Sequence, residues 1–203
     1  MLLQVEKIEK SFGEHKVLDG ISFAADGGEV VGILGANGAG KTTLLRIVSR
    51  LVDADSGEVI FDGHPMTRAD LALIGYLPEE RGLYRRMPVG EQVLYLARLK
   101  GMTRAAAEGA AREWFRRLGA EEWWRRPAAR LSKGMLQRVQ FIASVVHRPR
   151  LLILDEPFSG FDSEGAAMLR REIERLRSEG AAILLSTHNL PAAADLCTKT
   201  IQL

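Results

Sequence analysis

The chain has 203 residues, 46% hydrophobic and 27% charged, with a formal net charge of +2. That length and apolar share support a packed core, no apolar run approaches the roughly 20 residues that span a bilayer, and so small a net charge says little about nucleic acid. The start, MLLQVEK, carries an acid and no long apolar stretch and so does not read as a secretion signal, while the sole cysteine, Cys197, cannot close an internal disulfide and is expected as a packed helix residue in a reducing, cytoplasmic compartment.

The opening reads as strands. Residues 3–8 alternate apolar and polar, residues 16–23 form a second candidate, and residues 29–34 make a continuous buried run. Residues 53–63 read as turn, short strand, turn, and residues 74–77 as a strand stopped by Pro78. From about residue 88 to 147 the pattern turns helical. One helix runs from Glu91 to Lys100 and closes at Gly101; a second is capped by Thr103 and carries Trp114, Phe115 and Leu118 on one face; a third follows Gly134 and ends before Pro149. Residues 151–154 then form a buried strand, residues 166–179 an amphipathic helix, and residues 182–186 another strand. Strand-helix-strand at both ends with helices between predicts an α/β fold, a parallel core interrupted by an inserted helical subdomain. Between Arg81 and Arg130 there are 11 Arg and 1 Lys against 5 Glu, 12 − 5 = +7. That basic stretch suits anionic lipid or an acidic partner loop, and equally a set of solvated helix faces. Trp123 and Trp124, beside Arg125 and Arg126, are expected to pack against neighbouring helices.

Chemistry concentrates after the buried run ending at Leu34. The stretch Gly35-Ala36-Asn37-Gly38-Ala39-Gly40-Lys41-Thr42-Thr43 fits the G-x-x-x-x-G-K-[ST] phosphate loop. Its glycines let backbone N–H groups turn inward with no Cβ in the way, and the helix that follows points its positive end at the same place. Lys41 would reach the β- and γ-phosphates of a nucleotide and Thr42 would ligate Mg²⁺. A hydrophobic strand ending in Asp155 supplies the acid such a loop needs for its metal, and Glu156 beside it is the candidate general base for an attacking water. Lys41 and Asp155 lie 155 − 41 = 114 residues apart. Small GTPase-like switches keep these elements much closer, so the helical block between them must serve the site or a partner.

Leu131-Ser132-Lys133-Gly134-Met135 precedes Asp155 by 155 − 132 = 23 residues counted from Ser132, which would cap a helix and offer a second anion site. With Ser11-Phe12-Gly13, Ser159-Gly160-Phe161-Asp162 and Ser186-Thr187-His188, the set in this order resembles the ATP-binding cassette (ABC) family over nearly the whole chain.

The resemblance implies a P-loop NTPase core with an N-terminal antiparallel β subdomain, with about residues 88–147 as the inserted helical subdomain. It implies Phe12 and Val17 beside adenine, Ser132, Lys133, Gly134 and Met135 as the signature that closes on the ATP of a second subunit, Asp162 in the loop that communicates across that dimer, and His188 at the γ-phosphate. Glu79 stands where most members carry a glutamine and would ligate Mg²⁺; Lys133 and Met135 replace a glycine and a glutamine of the usual signature. With Leu77 to Tyr84, these features look like the branch of ABC-2 type exporters for sodium or drug efflux, whose members usually continue with a C-terminal extension expected to be absent here. The expected partners are a second copy of the chain, as an ATP-bound homodimer, and an integral membrane permease, with no nucleic acid, on the cytoplasmic face of the membrane. The alternative is a soluble ABC ATPase acting on nucleic acid or the ribosome. Those usually carry two cassettes in one chain or long coiled-coil insertions, and neither pattern is present.

Overall fold

The computed structural model describes residues 1–80, 82–188 and 195–203. Two sheets organise them. β1 (Leu3–Phe12) pairs antiparallel with β2 (His15–Ala25) on one side and β4 (Ser56–Phe61) on the other, and β5 (His64–Pro65) completes the order β2-β1-β4-β5. The second sheet is parallel, in the order β6-β7-β8-β3-β9, from β3 (Val30–Leu34), β6 (Ile74–Leu77), β7 (Leu151–Asp155), β8 (Ala182–Thr187) and β9 (Lys199–Gln202).

The parallel strands are buried on both faces, so their continuous apolar runs feed two cores by alternation. Val30, Leu152, Leu154, Ile183 and Leu185 face α2 (Val89–Leu99), α3 (Arg104–Arg117), α4 (Lys133–Val145) and α5 (Ser163–Ser178). Val31, Ile33, Leu151, Ile153 and Leu184 face the other way, toward α1 (Lys41–Val48) and the antiparallel sheet, whose Leu3, Val5, Ile8 and Phe61 are fully buried there. Register then fixes the site. Leu34 pairs with Thr187 and Asp155 with Ser186, so β3, β7 and β8 all end at one edge of the sheet. Ligand sites of open α/β sheets lie outside such carboxyl ends.

The helices begin and end for local reasons. Thr103 caps α3 by accepting from the Ala106 amide at 3.3 Å, and Asp162 caps α5 by accepting from the Gly165 amide at 2.7 Å, which starts that helix three residues before the expected Ala166. Trp124 packs as expected. Its ring meets Phe115 edge-on at 5.0 Å, and it covers Gly90 so closely that an added Cβ there would lie 2.4 Å from the indole. Cys197 corrects its expectation: it lies in the irregular segment before β9, half-buried against Gly32, and burial pushes its thiol pKa up. Strand β9 itself was not foreseen. No helix among the described residues is long and apolar enough to cross a membrane.

Candidate functional site

Between β3 and α1 the chain turns through Gly38 at φ 83° and Gly40 at φ 95°, in the left-handed region that favours glycine. Gly40 has a second constraint: an added Cβ would meet Val17 and Leu18 at 2.9–3.0 Å. The loop tightens through the Ala39 amide, which donates to the Ala36 carbonyl at 3.2 Å. Lys41 is buried, and its Nζ donates to the carbonyls of Gly35 at 2.9 Å and Ala36 at 3.0 Å, so the lysine arches over its own loop.

At the facing strand ends Ser186 is the organiser. Fully buried, it donates through Oγ to Asp155 Oδ1 at 2.5 Å, accepts at Oγ from the Glu156 amide at 3.1 Å, and its carbonyl accepts from the same amide at 3.2 Å. The turn after β7 holds Glu156 at φ 47°, uncommon for a residue with a side chain. Its Oε1 accepts from the His188 amide at 2.9 Å and lies 2.8 Å from His188 Nδ1, which donates to it in the Nδ1–H tautomer. Sequence reasoning missed Ser186 as this hub.

The phosphate loop, Glu156 and His188 share one cleft of about 430 Å³. Asn37, Gly38, Gly40, Lys41, Thr42 and Thr43 form one side; Glu79, Glu156 and His188 form another; Phe12, His15 and Val17 wall it from the antiparallel sheet. Phe12 is 54% exposed, with Lys10 Nζ over its ring at 5.5 Å from the centroid, and its exposed surface suits stacking a base. His15 is an unforeseen addition, placed there because the β1–β2 turn pairs it with Phe12. Gly35, Ala36 and Ala39 do not line the cleft but shape the loop beneath it. The candidate metal acid, Asp155, is 1% exposed, and its Oδ2 is buried with no hydrogen-bond partner among the described residues. A buried carboxylate oxygen without a donor fits a cation ligand, and a divalent ion beside it would take its remaining oxygens from Thr42, Glu79, phosphate and water. That negative charge is felt locally: burial first, then Asp155, push the phenol of Tyr76 on β6 above its ordinary pKa.

The remaining expected residues lie outside the cleft. Ser132 caps α4 by accepting from the Met135 amide at 3.3 Å, with Lys133 and Gly134 following. Asp162 is spent as the α5 cap. The loop from Glu79 to Val89 is bound to its surroundings: Gln140 on α4 donates to the Glu80 carbonyl at 3.3 Å, and Gln92 pairs with both the amide and the carbonyl of Tyr84, at 2.7 and 2.9 Å. Arg81, within that loop and the basic stretch, lies outside the described residues.

A glycine-rich loop over a helix start, facing an acid-tipped strand of a parallel sheet, defines a P-loop nucleotide-binding domain. The ABC transporter family model matches residues 18–159 and an AAA-domain model matches residues 125–195. YhaQ, an ABC transporter ATP-binding protein of Bacillus subtilis, is 40% identical over 97% of this chain, which spans 66% of that relative's length. SrtF, a lantibiotic transport ATP-binding protein of Streptococcus pyogenes, is 34% identical over 96% of this chain and 83% of its own. A solved ATP-binding subunit of an ABC transporter superimposes with a TM-score of 0.92 at 30% identity, covering all of this chain and 86% of the other. The chain belongs to the ABC transporter family, as an ATP-binding domain.

Proposed function

We propose that this chain binds ATP with Mg²⁺ and hydrolyses it as one of two head-to-tail subunits, and that the cycle drives a separate membrane permease of the ABC-2 exporter type from its cytoplasmic face. The observation that carries this reading is the shared cleft, which both the phosphate loop and the Glu156–His188 pair line.

ATP enters with its base against Phe12 and Val17 and its phosphates over the loop Gly35–Thr43. Lys41 exchanges two carbonyl acceptors, Gly35 and Ala36, for phosphate oxygens, a charged acceptor for a neutral one. When bound, Mg²⁺ offsets phosphate charge; Thr42 and Asp155 would hold it, with Glu79 as a further carboxylate. Glu156 keeps Oε1 on His188, so its other oxygen is available to accept the proton of a water aligned on the γ-phosphorus. His188, whose side chain is 57% exposed, is placed to meet the γ-phosphate while fixing the base. The bond from γ-phosphorus to the bridging oxygen breaks, and ADP and phosphate leave.

The second subunit supplies Ser132, Lys133, Gly134 and Met135 at the start of its α4, where helix amides attract the γ-phosphate, and Asp162 lies in the turn facing the same interface. Loss of that phosphate removes the bridge and the pair opens. Residues from about 88 to 147 form the helical subdomain that passes the motion on. Exposed Tyr84 on the loop before it and Tyr95 and Leu99 on α2 suit an apolar contact with a permease. The lantibiotic-transport relative supports a transport role, and the motif pattern supports export.

Glu156→Gln tests the reading. It keeps the shape and removes the base, so ATP binding persists, phosphate release falls by about 10²- to 10⁴-fold, and ATP accumulates a dimer visible by sedimentation. Wild-type turnover in this variant removes Glu156 from the mechanism.

A further inference from the structure

Lys133 stands where the family signature usually has glycine, and the structure gives its side chain a definite contact. It is the first residue of α4, directly after the capping Ser132. Its stem crosses Gly160, where an added Cβ would lie 2.7 Å from Lys133 Cε and 2.9 Å from both Cδ and Cγ. Gly160 is at φ 85°, a backbone conformation that favours glycine. The Lys133 ammonium donates to Ser159 Oγ at 3.4 Å. One residue on, Gly134 backs onto the same turn: an added Cβ would stand 3.1 Å from the Gly160 carbonyl oxygen. The turn is itself fastened to the end of β7, because the Ser159 amide donates to the Glu156 carbonyl at 3.1 Å.

We propose that Lys133 is a positioning residue that ties the signature helix of each chain to the turn carrying that chain's own Glu156, so that the two nucleotide sites of the dimer turn over in concert. The inference rests on the head-to-tail reading above. In that arrangement the start of α4 serves the partner's ATP while Glu156 serves the chain's own. The path between them is short: ammonium to Ser159, then one turn of backbone to Glu156. A glycine at 133 leaves only the backbone approach of Gly134 to Gly160. The lysine adds a stem packed across the turn and a donor on its hydroxyl, so a shift of the helix start is delivered to the base of the same chain.

Phosphate release by the whole chain, titrated with ATP, tests this in Lys133→Met, Lys133→Gly and Lys133→Arg. Methionine keeps most of the stem and loses the ammonium, so the melting temperature holds. The expected result is a Hill coefficient falling toward 1 and kcat falling about three- to fivefold, the worth of one exposed charge-assisted contact. KM for ATP stays at the wild-type value, and arginine restores both parameters. Wild-type kcat and Hill coefficient in both Lys133→Met and Lys133→Gly overturn the proposal. A raised KM at unchanged kcat also overturns it, by placing the ammonium on the partner's phosphates. Sedimentation of Glu156→Gln with ATP separates the two readings: absence of a dimer there refutes the head-to-tail arrangement itself, whereas a dimer with uncoupled wild-type kinetics refutes only the role of Lys133.

Discussion

Ser186 shows how much of the chemistry depends on a residue that performs none of it. Its hydroxyl is the donor on Asp155 Oδ1 and one of two acceptors for the Glu156 amide. Ser186→Ala leaves Asp155, 1% exposed, with both carboxylate oxygens unpartnered among the described residues and loosens a glutamate held at positive φ. A buried polar group stripped of its partner costs about 1–3 kcal/mol, so the melting temperature falls and kcat drops by about two- to twelvefold if half of that appears in the barrier. Thermal unfolding and phosphate release on the same preparation check both, and a variant with unchanged melting and turnover rules out the hub. The sequence displayed Lys41, Thr42, Asp155 and Glu156 plainly, because a polyphosphate demands those residue types at that spacing. It could not display Ser186, a serine at the end of an apolar strand that becomes a partner of Asp155 only through the parallel register of β7 and β8. His15 was hidden for the same reason, since only the antiparallel turn brings it to Phe12.

At the scale of elements, the buried strands and amphipathic helices were legible because each has one period and one buried face or two. Boundaries moved where a cap outweighed periodicity, as at Asp162. Strand β9 was missed because its four residues are mostly exposed and it joins β3 in parallel, without a hairpin turn to announce it. Another junction was equally silent in sequence. Lys100, at the end of α2, donates to the carbonyls of Leu71 at 2.5 Å and Ile74 at 2.8 Å, and His147, just after α4, meets the same Ile74 carbonyl at 3.1 Å. Two helix ends of the helical block thus converge on the start of β6. Burial, then the neighbouring Lys100 charge, lower the His147 pKa from 6.5 to about 4. The unfolded chain therefore takes up a proton as pH falls through 6.5 while the folded chain resists until about 4, so this contribution to stability is fully present above pH 6.5 and is lost progressively down to about pH 4. Between pH 7 and pH 5 the loss is about 2 kcal/mol. His147→Gln, which keeps a donor for Ile74, should abolish that part of the slope in urea unfolding. An equal slope in wild type and variant would show that His147 is not the group responsible.

For the whole molecule, the proposed head-to-tail arrangement has one chain offer half of two different sites. The phosphate loop and Glu156 open on one cleft, whereas Ser132 and the start of α4 lie outside it. In a head-to-tail pair this division makes a definite prediction for mixtures of inactive chains. Lys41→Ala removes the cation of the loop but keeps the signature; Ser132→Arg keeps the loop and blocks the signature with bulk and positive charge. Each variant alone forms dimers in which both sites lack a component. When the two are mixed, half of randomly formed pairs are hybrids, and each hybrid holds one intact site, formed by the loop of the Ser132→Arg chain and the signature of the Lys41→Ala chain. If one site suffices for turnover, activity recovers to about a quarter of wild type at an equal ratio. Coupling between sites lowers that figure without erasing the gain over either parent. Phosphate release measured across mixing ratios should therefore pass through a maximum near equality. A flat line at the level of the parents would mean that each chain completes its own site, and the assignment of Ser132 to a partner's nucleotide would fall with it.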